Sequence, residues 1–579
     1  MKIALAQQNY HIGNFEKNIQ KITSAIQEAK RQEADLIVFT ELCVCGYPPR
    51  DFVEFNDFIE NCYAAIDTIK EQADGIAVVV GCPQRNTNPQ GKDLFNAAWF
   101  LHEKQVKAVA QKTCLPTYDV FDENRYFEPA YDWKVIPFKG KKIALTICED
   151  IWNLGDNPLY RVCPMDELIK QQPDFMINIS ASPFDYDHDD DRKEIIRVNV
   201  LKYGLPLFYC NTVGSQTEIV FDGGSLVTDA RGHIIKEMKY FEEDFAVVEL
   251  PDAGKHISLQ EEALNQAAVQ HSLTSILDKE MRVSKISNPD AIIGYLTASK
   301  NIAEIHRALL LGIRDYFSKM GFTKAILGSS GGIDSAVALA LGCEALGPQN
   351  MRAVLMPSQY STNHSVNDAV QLSKNLGNPY DIVPIKNIYQ AFMQELQPIF
   401  KDLPFGLAEE NIQSRSRGNL LMAIANKFGY ILLNTSNKSE LATGYGTLYG
   451  DMAGGLSILG DVYKLQVYAL AKYINRNGEI IPANIISKPP SAELRPNQKD
   501  SDSLPEYDIL DKVLYQYIER RQGPNEIIAM GINEALVRRI LKLVNSNEYK
   551  RNQFCPIIRV SCKAFGVGRR MPIVGKYLS

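Results

Sequence analysis

Short apolar runs alternate with stretches of helical period along most of the chain, and this alternation limits the fold more than any other feature. In the first half the apolar runs include KIALAQQN, DLIVFTE, IAVVVGCP and KKIALTICED. Between the first two, Phe15, Ile19, Ile22, Ile26 and Ala29 recur at three- and four-residue steps, which predicts an amphipathic helix. Buried strands that alternate with helices predict a layered α/β domain over residues 1–249.

A second series of strands and helices follows residue 300. It contains the helical stretch NIAEIHRALLLGIRDYFSKMG, the apolar run TKAILGSS, a second helical stretch and the run MRAVLMPS. Strand, helix and strand in this order imply right-handed crossovers, so residues 301–579 are predicted to form a doubly wound parallel sheet. Residues 250–300 have helical period and polar composition, which predicts a helical linker.

Composition excludes several classes of protein. The chain has 579 residues, of which 45% are hydrophobic and 23% charged, close to the average of globular proteins. The net charge is −7 without a basic tail, so we predict no nucleic-acid partner. No apolar run approaches the roughly 18 residues of a membrane span, and we predict no membrane partner. The beginning of the chain lacks the pattern of a signal peptide and the eleven cysteines are scattered, which predicts reduced thiols in the cytoplasm.

A glycine-rich string stands between a predicted strand and a predicted helix. Its residues are Gly328, Ser329, Ser330, Gly331, Gly332, Ile333, Asp334 and Ser335. Glycines and small hydroxyl residues let backbone N–H groups approach an anion at the positive end of the helix dipole, so the string predicts a phosphate cradle. No lysine follows the glycines, which disfavours a Walker-type kinase or GTPase. The alternative is an ordinary glycine-rich turn.

Two carboxylates further along the chain, Glu440 and Asp451, stand beside glycine-rich turns. Both are suited to hold Mg²⁺ against phosphate oxygens, and Lys464, Lys488 and Lys550 offer positive charge for phosphates. The S-G-G-x-D-S string resembles the pyrophosphate loop of ATP pyrophosphatases. The strings ENIQSRSR, NTSNKSE, ATGYGTLYGD and EYKR resemble the NAD synthetases in order and spacing. This resemblance implies that ATP is a co-substrate held by residues 328–335 and Thr435, and that deamido-NAD contacts Asn411, Glu440 and Lys550.

A carboxylate, an ammonium and a thiol end three apolar runs of the first half: Glu41, Lys112 and Cys148. Side chains at the carboxyl ends of strands in an α/β layer point into one cleft, so these three are predicted to converge. Glu41 would then take the thiol proton, Lys112 would stabilise an oxyanion, and Cys148 would attack an amide. The alternative for Cys148 alone is a buried core cysteine.

The strings around these residues, TELCVCGY, KTCLP, DENRYF and ICED, resemble the nitrilase and amidase superfamily, and within it the glutaminase half of glutamine-dependent NAD synthetases. The resemblance implies an αββα sandwich fused to a Rossmann-like synthetase, with homo-oligomeric assembly. It adds Glu123 to the catalytic set and assigns glutamine binding to Tyr118 and Ser182. His188 stands near the place of the family's lysine, and Arg192 or Lys193 could substitute for it.

Together these features predict an enzyme that amidates deamido-NAD to NAD through an adenylate. Its ammonia would come from glutamine, through a thioester on Cys148, and would pass between the two sites. Two alternatives stay open at this stage: a pyrophosphate-loop amidotransferase acting on a purine nucleotide or a tRNA base, and a non-catalytic regulator that binds a dinucleotide.

Overall fold

The chain divides into two units, Met1–Met281 and Arg282–Ser579, each with sheets and a core of its own. The computed structural model describes residues 1–154, 159–186, 188–251, 289–491, 493–495, 498, 500–502 and 504–578. Most of the predicted linker, 252–288, lies outside the described residues, so the linker and the boundaries at 249 and 300 stay predictions. In the described ranges no helix is both long and apolar enough to cross a bilayer.

The described strands of the first unit form two six-stranded sheets and one hairpin. They are β1 (Lys2–Gln7), β2 (Leu36–Val38), β3 (Ala77–Arg85), β4 (Leu94–His102), β5 (Gln105–Gln111), β6 (Ile136–Phe138), β7 (Lys141–Ile147), β8 (Phe175–Ser180), β9 (Leu207–Asn211), β10 (Val213–Gln216), β11 (Ile219–Asp222), β12 (Leu226–Thr228), β13 (Ile234–Glu237) and β14 (Asp244–Glu249). The sheet orders are β14-β1-β2-β3-β4-β5 and β13-β12-β9-β8-β7-β6, and β10 pairs with β11. Strands β1, β2 and β3 are parallel, as are β7, β8 and β9.

Strand β1 shows why the sheets stack. Successive side chains of a strand point to opposite faces. Ile3 and Leu5 join the core between the two sheets, whereas Ala4 and Ala6 join a core that includes residues of the helices. The described helices of this unit are α1 (Phe15–Arg31), α2 (Asn56–Gln72), α3 (Glu123–Tyr126), α4 (Pro164–Leu168) and α5 (His188–Tyr203). Because α1 and α2 cover one sheet while α4 and α5 cover the other, the predicted αββα sandwich is confirmed.

The second unit contains a parallel sheet. Its described strands are β15 (Ala325–Gly328), β16 (Met351–Leu355), β17 (Tyr380–Ile382), β18 (Ile431–Asn434) and β19 (Leu456–Ser457). Their order is β17-β16-β15-β18-β19 and every pairing is parallel, so the predicted doubly wound sheet is confirmed. The strand order reverses at β15. Ligands of such sheets bind beside the carboxyl end of the strands at this reversal.

Helices surround this sheet. Those described are α6 (Pro289–Leu296), α7 (Ser299–Met320), α8 (Ile333–Leu346), α9 (Asn363–Leu376), α10 (Lys386–Phe400), α11 (Leu407–Phe428), α12 (Lys438–Thr443), α13 (Lys464–Ile474), α14 (Ala483–Ser487), α15 (Tyr507–Ile518), α16 (Pro524–Ala529), α17 (Glu534–Ser546) and α18 (Glu548–Arg551). Helix α8 is buried along most of its length, with Ala336, Val337 and Leu339 all inaccessible to solvent. Its amino end, directly after β15, is thereby fixed at the switch point of the sheet.

Candidate active sites

A buried lysine stands between two carboxylates in the first unit. Lys112 Nζ donates to Glu41 Oε1 at 2.7 Å and to Glu123 Oε1 at 2.8 Å, and the side chains of Lys112 and Glu41 have no exposed surface. Burial by itself lowers the pKa of Lys112, but the charges of Glu123 and Glu41 outweigh it and raise that pKa well above its ordinary value. The two carboxylates therefore favour the charged form of Lys112.

Cys148 directly follows β7 and begins a 3₁₀ turn, Cys148–Ile151, with φ of 45°. Two residues later, Asp150 Oδ1 accepts hydrogen bonds from the backbone N–H groups of Thr113 and Cys114 at 3.0 and 2.9 Å. Its Oδ2 accepts from the N–H of Ile147 at 3.0 Å. Asp150 thus joins the turn that carries the thiol to the segment that follows Lys112, which is how residues far apart in sequence converge.

The surroundings of Cys148 favour the protonated thiol. Burial and the charge of Glu41 raise its pKa well above the ordinary value, while Lys112 opposes them. A buried thiol of this kind needs a base to become a nucleophile. Among the charges near Cys148, that of Glu41 acts most strongly on its pKa. That Glu41, Lys112 and Cys148 act together as a catalytic set stays a prediction.

The predicted glutamine contacts differ in what surrounds them. Tyr118 donates its hydroxyl to Glu149 Oε1 at 2.9 Å, and its ring is partly exposed. Ser182 is buried after β8, and its N–H donates to Asn211 Oδ1 at 2.9 Å. His188 begins α5, but its side chain lies outside the described residues.

The two cations suggested as substitutes for the family's lysine already have carboxylate partners. Arg192 is buried and donates to both carboxylate oxygens of Asp222, at 2.9 and 2.6 Å. Lys193 Nζ lies 2.8 Å from Glu237 Oε1 and faces the ring of Tyr240. Recognition of a glutamine carboxylate by either cation would require it to leave this partner.

Four polar contacts at this site were missed by the sequence reasoning. Asn96 Nδ2 donates to Glu41 at 2.7 Å, and the hydroxyl of Tyr47 donates to Glu123 at 2.8 Å. Glu149, next to Cys148, accepts from Tyr118 and also from the hydroxyl of Tyr160. The available signal was weak: Asn96 is a polar residue inside the apolar run LFNAAWFL.

The glycine-rich string of the second unit forms the turn between β15 and α8. Gly331 has φ of 76°, and a Cβ at this position would lie 2.2 Å from the carbonyl oxygen of Ser365, so only glycine fits. Gly332 caps α8, and Ser335 Oγ donates to the Gly332 carbonyl at 3.0 Å and lies 3.1 Å from Ser330 Oγ. The result is a tight loop at a helix amino end, the geometry predicted for an anion cradle.

A cavity of about 300 Å³ opens beside this loop. The predicted ATP residues that line it are Gly328, Ser329, Ser330, Gly332, Ile333 and Thr435. Its apolar wall includes Val354, Met356 and Leu421, which suits a flat base, whereas the loop suits phosphates. The buried hydroxyl of Ser329 has no hydrogen-bond partner among the described residues, which is consistent with a ligand in the cavity.

Asp334 belongs to a charged group rather than to the cavity wall. Lys464 Nζ donates to Asp334 Oδ2 at 2.6 Å and reaches Glu440 Oε1 at 3.4 Å. Asn437 Nδ2 donates to Asp334 Oδ1 at 2.9 Å. Burial and the neighbouring charge of Asp334 raise the pKa of Glu440 to about 8, although Lys464 opposes this. One lysine therefore serves two carboxylates.

Asp451 lies elsewhere in this unit, in the turn that follows α12. It lines the cavity, and its Oδ1 accepts from the N–H of Thr447 at 2.6 Å. The same turn is held by two predicted deamido-NAD residues: Asn411 Oδ1 accepts from Thr447 Oγ1 at 2.8 Å, and Lys550 Nζ donates to the carbonyl of Gly444 at 2.7 Å. Asn411 and Lys550 thus shape the turn that carries Asp451.

The oxygen donors fit a hard cation, although they are not gathered around one point. Mg²⁺ takes one or two carboxylates and completes its octahedron with water and phosphate oxygens. Glu440, Asp334 and Asp451 supply such oxygens near the phosphate loop. Among the described residues no cluster of three or more His, Cys, Asp or Glu side chains is arranged as a ready metal site. Phosphate oxygens would have to complete the coordination.

Two family models match the chain: a carbon-nitrogen hydrolase model over residues 2–254 and an NAD synthase model over residues 305–554. The chain is also similar over its length to relatives named glutamine-dependent NAD(+) synthetase. One from Synechocystis sp. is 43% identical over 578 residues, which cover 99% of this chain and 98% of the relative. Another from Thermotoga maritima is 38% identical over 583 residues, which cover 100% and 99%.

Solved structures agree with these matches. A glutamine-dependent NAD+ synthetase from Acinetobacter baumannii, in complex with adenosine diphosphate, matches with a TM-score of 0.73 and 35% identity over 99% of this chain and 98% of that chain. A glutamine-dependent NAD(+) synthetase from Cytophaga hutchinsonii matches with a TM-score of 0.78, 18% identity and the same coverage. The second likeness bears on the fold alone.

Proposed function

The chain belongs to the family of glutamine-dependent NAD(+) synthetases, and on this premise we propose how its residues divide the reaction between the two units. The overall reaction is the ATP-dependent amidation of deamido-NAD to NAD, with glutamine as the source of nitrogen. The observation that carries the proposal is Lys112 held between Glu41 and Glu123 beside Cys148, in a unit separate from the phosphate loop.

In the first unit Cys148 is the nucleophile. Glu41 takes the thiol proton as Cys148 Sγ attacks the amide carbon of glutamine, and Lys112 stabilises the oxyanion. The C–N bond breaks, ammonia leaves with the proton that Glu41 returns, and a glutamyl thioester remains for water to hydrolyse. Glu123 keeps Lys112 charged and in place, while Tyr118 and Ser182 contact the rest of the glutamine. His188 stays a predicted contact.

In the second unit the phosphates of ATP lie on residues 328–335, with the base against the apolar wall of the cavity and the ribose side near Thr435. The nicotinate carboxylate of deamido-NAD attacks the α-phosphate, pyrophosphate leaves, and ammonia then displaces AMP from the adenylate. Mg²⁺, when bound, neutralises phosphate charge, and Glu440 and Asp451 are the residues that would hold it. Asn411, Glu440 and Lys550 position deamido-NAD.

Three wider properties complete the proposal. We propose a homo-oligomer, as the family resemblance implies, and passage of ammonia from Cys148 to the adenylate. A cytoplasmic location is supported by the cysteines, because all eleven, each within the described residues, are free thiols.

The proposed function is tested by mixing the protein with ATP and deamido-NAD and measuring pyrophosphate and NAD, with glutamine or ammonium chloride as the nitrogen source. Both sources should give NAD and pyrophosphate in equal amounts. A purine nucleotide in place of deamido-NAD is the control and should release no pyrophosphate. Pyrophosphate release with the purine nucleotide alone would instead identify a different amidotransferase.

A further inference from the structure

Asn96 is a buried amide among charged groups that the mechanism above does not use. It lies in β4, between the apolar residues Phe95 and Ala97, and has no exposed surface. Its Nδ2 donates to Glu41 Oε1 at 2.7 Å and to Glu123 Oε2 at 3.2 Å. One amide group therefore joins the two carboxylates that flank Lys112.

The charges at this point do not balance. Glu41 and Glu123 are two carboxylates that share a single ammonium, Lys112, and burial together with Glu41 raises the pKa of Glu123. Cys148 and Glu149 also face this group. A second cation would pair with Glu41 and make it a weaker base for the thiol. An amide N–H and the hydroxyl of Tyr47 stabilise the carboxylates without adding charge.

Asn96 is poorly explained as a residue that serves only stability. Its Oδ1 is buried without a hydrogen-bond partner among the described residues. Removing this oxygen from water without a new hydrogen bond lowers the stability of the folded state. Leucine would fill a similar volume with no such cost. The donor half of the amide is therefore the part that the site uses.

We propose that Asn96 is a positioning residue of the glutaminase site, which holds Glu41 and Glu123 on either side of Lys112 so that Glu41 stays in place as the base for Cys148. This inference rests on the proposed roles of Glu41, Lys112 and Cys148. Asn96 itself touches neither glutamine nor the reacting atoms. It acts through the two carboxylates, so its loss should change the protonation of the site and the rate of attack more than the binding of glutamine.

The test is Asn96→Leu in the full-length protein, with the glutamine-dependent rate measured from pH 5.5 to 9. We expect kcat with glutamine to fall about 100-fold, as for loss of an oriented general base, with KM changed less than kcat. The acid limb of the pH profile should move to higher pH, because carboxylates that lose a donor hold their protons longer. NAD synthesis from ammonia should be unchanged, because it is proposed for the second unit. An unchanged thermal unfolding profile shows that the first unit of the variant is folded.

The matched control is Asn199→Leu. Asn199 is also fully buried with an unpartnered Oδ1, but its Nδ2 donates to the carbonyls of Ile151 and Ile195 and not to charged groups. Its pH profile should match that of the wild type. An unshifted profile in Asn96→Leu, or an equal shift in Asn199→Leu, would overturn the role of Asn96.

Two further variants keep the test decisive. If Asn96→Leu fails to fold, Asn96→Asp is tested instead, because it keeps the shape of the side chain and adds a third carboxylate. The acid limb of its pH profile must move to higher pH, or the inference is wrong. Glu41→Gln separates the inference from the proposed function. Full glutamine activity in Glu41→Gln refutes both, whereas an inactive Glu41→Gln with a wild-type Asn96→Leu refutes the role of Asn96 alone.

Discussion

Lys464 Nζ donates to Asp334 Oδ2 at 2.6 Å, so a cation from α13 is bound to the first turn of the helix that follows the phosphate loop. Lys464 is almost fully buried, and the charges of Asp334 and Glu440 outweigh the effect of burial and raise its pKa. This contact fixes the start of α8, where the phosphates of ATP are proposed to lie.

Replacement of Asp334 by alanine should abolish NAD synthesis with both nitrogen sources. The change removes the partner of Lys464 and of Asn437 at the loop, and we expect a loss of about 100-fold or more, as for loss of preorganised electrostatic groups. The measurement is pyrophosphate release. The control is Asp381→Asn on β17, which loses an ion pair with Arg352 on β16 and should stay close to wild type. Rescue of Asp334→Ala by ammonia would contradict the assignment.

Cys148→Ala should lose glutamine hydrolysis and keep ammonia-dependent synthesis. The thiol belongs to the first unit and is proposed only to release nitrogen from glutamine, whereas adenylation is proposed for the second unit. Glutamate release and NAD formation are measured in parallel. The control is Cys43→Ala, a buried cysteine whose thiol donates to the Gly81 carbonyl. Equal loss of both activities in Cys148→Ala would show that the two centres are not independent.

Glu440→Gln should weaken the binding of Mg²⁺, and the pH dependence of this binding should reveal the cause. A metal ligand must be deprotonated, and the pKa of Glu440 is raised to about 8, so the apparent Mg²⁺ affinity of the wild type should increase from pH 6 to 8 and then level off. In Glu440→Gln this increase should vanish, and the lost rate should recover in part at high Mg²⁺. An unchanged Mg²⁺ titration would mean that the carboxylate contacts substrate or a side chain instead.

Glu149→Gln should alter how stability depends on pH. Burial raises the pKa of Glu149 to about 7, so the folded state keeps a proton that the unfolded state loses from about pH 4.5 upward. The contribution of Glu149 to the free energy of unfolding of the wild type should therefore fall between about pH 4.5 and 7, by about 3 kcal/mol at most. The amide that replaces the carboxylate has no charge to bury, so the Tm difference between variant and wild type should grow in favour of the variant from pH 5 to 8. A constant difference would contradict the raised pKa.

Arg192→Met should destabilise the first unit without raising the KM for glutamine in the protein that remains folded. The change leaves Asp222 buried without its guanidinium partner, a loss of about 3–5 kcal/mol. Thermal unfolding measures it, and the double variant Arg192→Met with Asp222→Leu should recover much of the loss. A glutamine KM raised tenfold with unchanged Tm would show instead that Arg192 contacts glutamine.

Residues at strand ends were the part of the site that could be predicted from sequence. Glu41, Lys112 and Cys148 each stand at the end of an apolar run, and the rule for parallel strands predicts that such ends converge. The rule covers only part of the arrangement, because β5, which leads to Lys112, pairs with β4 in the antiparallel direction. The loop at residues 328–335 was recognisable for a similar reason, because strand, glycines and helix are contiguous.

Pairings between distant side chains could not be predicted. From the sequence, Arg192 was a candidate cation for a ligand. In the structure it is hydrogen-bonded to Asp222, which lies in β11, the second strand of the β10–β11 hairpin. Asn96 meets Glu41 and Glu123 only after two sheet strands and a helix are in place. Local sequence patterns identify the helix or strand on which a residue lies. Which distant residue it contacts depends on how the helices and strands pack, and the local pattern does not show this.

Among the described strands, β5 stands at one edge of its sheet, with Val106 about two-fifths exposed, and Lys112 follows its last residue. Outer strands open at lower free energy than central ones, so they fray before the domain unfolds. Each such opening would withdraw the ammonium from Glu41 and Glu123. On gradual warming, this chain should therefore lose its ability to draw nitrogen from glutamine while it can still use free ammonia.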